Sequence, residues 1–146
     1  ASIKVSMAKD FSFLTYANWI SGKETDEEKN EQVPLRHAPP FYGSSVFRYS
    51  IKKFVAEINV QYNSQIKNED LAPSEKAKTD IYAKDANGKP YSPGWYTVNL
   101  KTMYQIAQKL QLTAGWENLT NQRYRPYSSG IVSAGSNLVI ACRFQF

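Results

Sequence analysis

The most regular alternation lies at the end of the chain. Leu138, Ile140, Cys142, Phe144 and Phe146 fall on one face of an extended segment, and Asn137, Val139, Ala141, Arg143 and Gln145 fall on the other. That period of two is the mark of a strand whose faces meet different surroundings. Earlier segments repeat it. Leu110, Leu112, Ala114 and Trp116 alternate with Gln111, Thr113, Gly115 and Glu117, and Tyr96, Val98, Leu100, Thr102 and Tyr104 with Thr97, Asn99, Lys101 and Met103. Phe54, Ala56, Ile58, Val60 and Tyr62 oppose Val55, Glu57, Asn59, Gln61 and Asn63, while Phe47, Tyr49 and Ile51 oppose Val46, Arg48, Ser50 and Lys52. Residues 11 to 20 are apolar on both faces, which predicts a strand but leaves its facing open. Ile3, Val5 and Met7 look like the end of a strand cut short. The pattern predicts an all-β chain of six strands and a remnant.

The connectors alternate between tight and long. The chain turns quickly near Lys9-Asp10, Lys52-Lys53 and residues 107 to 109, whereas residues 21 to 43, 64 to 94 and 118 to 136 are rich in Gly, Pro, Ser, Asn and charge. Loops of that length are uncommon in compact domains and are usually functional. An antiparallel up-and-down meander with short turns at one end and long loops at the other is the arrangement of an outer-membrane barrel. Strand lengths agree, since a tilted crossing of the hydrocarbon layer takes about 9 to 11 residues and ordinary soluble strands centre on about 5 to 6.

Alternation alone does not say which face meets lipid. Aromatic residues at strand ends (Trp19, Tyr62, Tyr96, Tyr104, Trp116 and Phe146) sit where interfacial girdles belong. The opposite face carries Glu57, Asn59, Gln61, Lys101, Gln111, Glu117, Arg143 and Gln145, too polar for the inside of a sandwich but suited to a wet lumen. The apolar face is therefore expected to point to lipid.

Candidate chemistry is sparse. With Cys142 alone there is no disulfide framework and no multi-cysteine metal site, and the single histidine, His37, stands before Pro39 and Pro40 in a loop. Neither a Ser-His-Asp triad nor a His-rich metal centre has the parts it needs, so no catalytic residue, metal or cofactor is assigned. The formal charge of +5 comes from scattered Lys and Arg, a solvated surface and not a nucleic-acid arm. Glu24, Asp26, Glu27, Glu28 and Glu31 form an acidic cluster without the spacing of a calcium loop. Asn118-Leu119-Thr120 fits the glycosylation pattern but reads better as the start of a turn, with Asn supplying local backbone bonds. Gly115 removes a side chain from the polar row, permitting close backbone approach or a bend.

From Tyr96 onward the sequence resembles the C-terminal end of a TonB-dependent outer-membrane receptor. The resemblance is carried by Pro93-Gly94-Trp95-Tyr96-Thr97-Val98-Asn99-Leu100, by Tyr104, by Leu112-Thr113-Ala114-Gly115-Trp116-Glu117-Asn118-Leu119-Thr120-Asn121-Gln122-Arg123-Tyr124, and by the terminal strand to Phe146. Upstream, Pro34-Leu35-Arg36 with Pro39-Pro40 is similar to the family's loop before a descending strand. Thr120-Asn121-Gln122 departs from the usual Phe-Asp-Lys, and Ala134-Gly135-Ser136-Asn137 from Pro-Gly-Arg-Asn, so the last loop lacks an Arg that the family often has.

The resemblance implies a segment of a large barrel with a plugged lumen, of the roughly 22-stranded type. The chain opens inside a strand and reads as the C-terminal third of a receptor whose plug and TonB-interacting region lie outside it. Such a receptor takes up a scarce nutrient, for example an iron chelate, haem, cobalamin or a glycan. The partners implied are the rest of the barrel and the plug, the TonB system, outer-membrane lipid and the barrel-assembly machinery, with no nucleic acid. Trp95, Tyr96, Arg123, Tyr124, Arg125 and Tyr127 place cations and aromatic rings near the outer rim and are candidates for a ligand rim. Phe144 and the terminal Phe146 resemble an assembly signal. The rival is a small soluble lipocalin-like barrel, which would turn its apolar face inward.

Overall fold

The computed structural model describes residues 1 to 26 and 29 to 146, so Glu27 and Glu28 of the acidic cluster lie outside the described residues. In chain order the strands are β1 (Ser2–Ala8), β2 (Phe11–Trp19), β3 (Lys23–Asp26), β4 (Glu31–Pro34), β5 (Phe41–Ile51), β6 (Phe54–Asn63), β7 (Ala83–Lys84), β8 (Pro90–Tyr91), β9 (Trp95–Ala107), β10 (Leu110–Glu117) and β11 (Asn137–Phe144). A 3-10 turn at Asn68–Asp70 and the one-turn helix α1 (Pro73–Lys76) lie between β6 and β7.

Seven strands make one antiparallel sheet in the order β1-β2-β5-β6-β9-β10-β11. Apart from the two short hairpins β3–β4 and β7–β8, spatial order is chain order, which is the expected meander. All three long connectors emerge at one end of it. Among the described residues no helix is long and apolar enough to cross a membrane.

Register decides what each face carries. One row crosses the whole sheet as Val5, Phe13, Phe47, Ile58, Leu100, Trp116 and Leu138. The row beside it, on the other face, reads Ser6, Ser12, Arg48, Glu57, Lys101, Gly115 and Val139. Because side chains alternate with period two, these rows fix every other position. The facing of β2 follows: Phe11, Phe13, Thr15, Ala17 and Trp19 join the apolar face, and Leu14 and Tyr16 the polar one.

No charged residue stands on the apolar face of the seven strands. Its aliphatic hydroxyls are paired within the sheet. Thr15 Oγ1 and Ser45 Oγ are 2.8 Å apart, and Thr102 Oγ1 donates to the Ala114 carbonyl at 3.2 Å. On the polar face Arg48 Nη1 meets Glu57 Oε1 at 2.9 Å, and Ser44, Asn59 and Asn99 are linked across β5, β6 and β9 by side-chain hydrogen bonds.

Among the places where strand bounds differ from the pattern are the start of β5 and the end of β11. The sequence predicts loop as far as residue 43, yet β5 begins at Phe41. Gly43 and Ser44 are weak strand formers, but they pair with β2 on one side and β6 on the other, and that pairing outweighs local preference. Gly43 is required there: a Cβ would sit 2.3 Å from the Tyr16 carbonyl oxygen and 2.6 Å from the Tyr62 hydroxyl. At the C-terminus β11 stops at Phe144, although the Gln145 amide still donates to the Lys109 carbonyl at 2.9 Å.

Candidate functional site: the crown of loops

Buried apolar side chains gather above the sheet and not on either of its faces. Ile66, Leu71 and Tyr82 form a small core within residues 64 to 94, with Ile81 and Tyr127 packed against it. Tyr127 comes from the next long loop, so this core joins two connectors. Glu75, on α1, is fully buried beneath them. Its carboxylate accepts from Lys78 Nζ at 2.7 Å and from the Tyr82 hydroxyl at 2.5 Å. Burial alone would raise its pKa, but these donors and the Lys78 charge outweigh it and hold the carboxyl below its usual range. Burial, then the neighbouring Glu75 charge, push the Tyr82 hydroxyl up, and the same causes raise Tyr127 to about 12.

The loop 118–136 is tied down at its root. Asn118 adopts φ of +49° and Asn121 +48°, a region Asn tolerates better than most residues. Asn118 Nδ2 donates to the carbonyls of Gln122 and Ala134, while its Oδ1 accepts from the Gln122 amide and Thr120 Oγ1. The turn read from the sequence is there. With Nδ2 engaged twice and the residue buried, this fold leaves no room for a glycan on it.

Of the rim candidates, Trp95 and Tyr124 stack at 4.0 Å between ring centroids with 27° between planes. Arg125 Nη1 donates to the carbonyls of Asp80 and Ile81 at 3.3 and 3.0 Å, which pins this loop to the one before it. Tyr127 faces Tyr82 at 6.4 Å. Trp95, Arg123, Tyr124 and Arg125 line a cleft of about 320 Å³ with Ile81 and Val132. Trp95 Nε1, Arg125 Nε and the Tyr127 hydroxyl are buried and have no hydrogen-bond partner among the described residues. Tyr96 is separate from this group. It stands on the apolar face opposite Tyr62, half exposed, and only its backbone amide joins the crown, donating to Gln122 Oε1 at 3.0 Å.

Below the crown, the polar face frames a larger cavity of about 740 Å³, lined among others by Glu57, Asn59, Asn99, Lys101, Glu117 and Tyr124. Gly115 opens on it. A methyl group at Gly115 would meet the Leu100 carbonyl at 3.7 Å, an ordinary contact, so the glycine leaves space in the cavity and allows no unusually close approach. Phe144 and Phe146 contact edge-to-face at 5.3 Å, with Phe146 fully exposed. Among the described residues no group of His, Cys, Asp and Glu could hold a metal. Sequence reasoning missed Glu75 and the Leu71 core. The only signal was Leu71-Ala72-Pro73, an apolar pair before a proline suited to the first turn of a helix.

No family model matches the chain, and no curated protein matches it by sequence. Solved structures do match. A copper transporter, OprC, superposes with a TM-score of 0.76 at 14% identity, over 99% of this chain and 22% of its own. The ferric enterobactin receptor PfeA of Pseudomonas aeruginosa gives 0.70 at 11%, over 99% and 21%. The ferric citrate transporter FecA gives 0.66 at 17%, over 94% and 21%. The chain spans about a fifth of the length of each of these TonB-dependent receptors. Together with the meander and its two opposed faces, these matches identify its fold as that of a segment of a TonB-dependent receptor barrel.

Proposed function

We propose that the chain is the C-terminal portion of an outer-membrane TonB-dependent receptor, contributing barrel wall and part of the extracellular vestibule to the uptake of a scarce nutrient. The observation that carries the reading is the uncharged apolar face that runs unbroken across seven strands, set against a charged, cavity-bearing opposite face. In lipid every polar group must find an internal partner, and the paired hydroxyls of Thr15, Ser45 and Thr102 meet that demand. A lipocalin-like barrel would require the reverse arrangement, with its cavity on the apolar side.

The cargo class is a metal ion complex, supported by the copper, ferric enterobactin and ferric citrate named for the structural neighbours. Trp95, Arg123, Tyr124, Arg125 and Tyr127 form the stretch of vestibule wall offered to it, with cationic groups and ring faces suited to an anionic or aromatic chelate. Tyr96 serves instead in the aromatic belt at the outer membrane interface. The unpaired edges of β1 and β11 join the rest of the barrel, and a plug occupies the polar side and couples to TonB. Phe144 and Phe146 are the contact offered to the assembly machinery, as a strand added edge to edge.

The reading is tested in the full-length receptor by cysteines introduced at Asn30, Ala77 and Ser129. A membrane-impermeant maleimide should modify all three in intact cells. Protection of any one while the others react would refute the common extracellular side of the loops.

A further inference from the structure

Asn118 uses nearly all its hydrogen-bonding capacity at one point. Beyond the four side-chain bonds already described, its backbone amide donates to Asn99 Oδ1 at 2.8 Å. Those five bonds reach Asn99 on β9, Thr120 and Gln122 just ahead, and Ala134 at the far end of the loop. Asn121 adds a second tie between the ends, its Oδ1 accepting from the Ser136 amide at 2.9 Å. The entrance and exit of residues 118 to 136 are thus fastened to each other and to β9. Tyr124 and Arg125 follow directly from the fastening.

The chemistry needs an amide of this length. An aspartate keeps both acceptor roles but loses both Nδ2 donors and sets a carboxylate against two carbonyl oxygens. Alanine keeps only the backbone bond to Asn99. The positive φ further narrows the choice.

We propose that Asn118 is a positioning residue for cargo recognition, locking the two ends of loop 118–136 so that Tyr124 stays on Trp95 and Arg125 stays at the cleft. The proposal rests on the reading of that cleft as vestibule wall. Its test reads the loop without cargo. A nitroxide is attached at Ile131→Cys, an exposed tip position, in the full-length receptor with Cys142→Ser and any other free cysteines removed, in outer-membrane vesicles.

With Asn118 in place the spectrum should be the same at about pH 5 and about pH 8. Asn118→Ala should raise the mobile fraction about tenfold at both, as expected when buried partners are left unpaired. Asn118→Asp should match Ala at about pH 8 and move back toward the native spectrum at about pH 5, because burial against the Gln122 and Ala134 carbonyls raises the introduced carboxyl above its ordinary value of about 3.9 and a protonated acid regains one donor. A lost packing contact would show no such recovery. Glu57, Lys101 and Glu117, the charged residues lining the cavity with Asn118, are common to all variants and cancel in the comparison. Should Asn118→Ala fail to assemble, Asn118→Asp and Thr120→Val, which removes a single bond to Oδ1, carry the test. Native spectra in the assembled variants, or an Asp variant that stays mobile at low pH, overturn the proposal. Because no cargo is present, that result would leave the transport reading untouched, whereas failure of loop labelling in cells would remove the transport reading and with it the cargo role of Asn118, leaving only the fastening of the loop ends.

Discussion

In the seven-stranded wall a residue's surroundings follow from whether it occupies an odd or even place along its strand, whereas in the crown they follow from which distant segment reaches it. Ile140 and Val139 are chain neighbours with the same chemistry, yet one lies in the apolar face and the other over the polar cavity. Glu75 and Glu69 are both loop glutamates six residues apart in number, and one is fully buried while the other pairs loosely with Lys67 at 3.7 Å in solvent. The wall is held by ladder bonds and repeated pairing. The crown is held by a few individual contacts, so single substitutions there act locally.

The contrast is broken most forcefully at Ile140. If the apolar face meets lipid as proposed, Ile140→Arg should destabilise the full-length protein by about 2 to 4 kcal/mol, and Val139→Arg far less. Denaturant titration in lipid vesicles measures both, and equal losses would erase the two-faced wall. Next is Gly43→Ala, with an expected cost of about 1 to 3 kcal/mol from overpacking. Tyr62→Ala added to it should not restore stability, since the Tyr16 carbonyl still blocks the new Cβ. Full rescue would mean that the tyrosine alone makes the glycine necessary.

For the crown, Glu75→Ala should leave the Tyr82 hydroxyl buried without its acceptor, costing about 1 to 3 kcal/mol. The loss should be confined to residues 64 to 94 and 118 to 136 in hydrogen exchange, with strand protection unchanged. The pH dependence has two limits. Since the Glu75 pKa is lowered in the folded crown, its contribution is present above the ordinary carboxylate pKa and is lost as pH falls through the folded value. For Tyr127, whose folded pKa is about 12, the unfolded crown loses its proton first, so loosening should begin as pH rises past the ordinary tyrosine value near about 10. Exchange in those two loops should therefore quicken at both extremes, and Tyr127→Phe should weaken the alkaline limb. The smallest effect is expected for Tyr124→Ala, about 0.5 to 1.5 kcal/mol for the stack on Trp95, read as faster exchange near residue 124 alone.

This division explains what could be read in advance. Strands β5, β6, β9, β10 and β11 declared themselves because each sets apolar side chains against polar ones at period two. Strand β2 did not declare its facing, since Phe13 and Leu14 are equally apolar, and only the pairing of Phe13 with Phe47 decides it. In the crown, Asn118 was legible as the start of a turn because its bonds to Thr120 and Gln122 are local. Its bonds to Asn99 and Ala134 depend on strand pairing and on the return of a long loop, which no local pattern encodes. Glu75 sits in Pro-Ser-Glu-Lys, indistinguishable from a solvated first turn, and nothing nearby announces that Tyr82 will close over it. Trp95 and Tyr124 were recognised as aromatic and rim-like, and period two already set Tyr96 on the other face from Trp95, but the stacking of Trp95 on Tyr124 required the return of a long loop.

The hairpin β7–β8 turns on Asp85, whose side chain accepts from the amides of Asn87 and Lys89, and on Gly88, at φ of +76° with nothing within 4 Å of where a Cβ would stand. Its tip is stitched by its own residues and leans on little else. Foreign peptide inserted between Asn87 and Gly88 would extend from the crown without disturbing the wall, whereas the same insertion beside Asn118 would part the two ends of a loop. The crown thus offers an engineer one place where sequence can grow freely and another where it can hardly change.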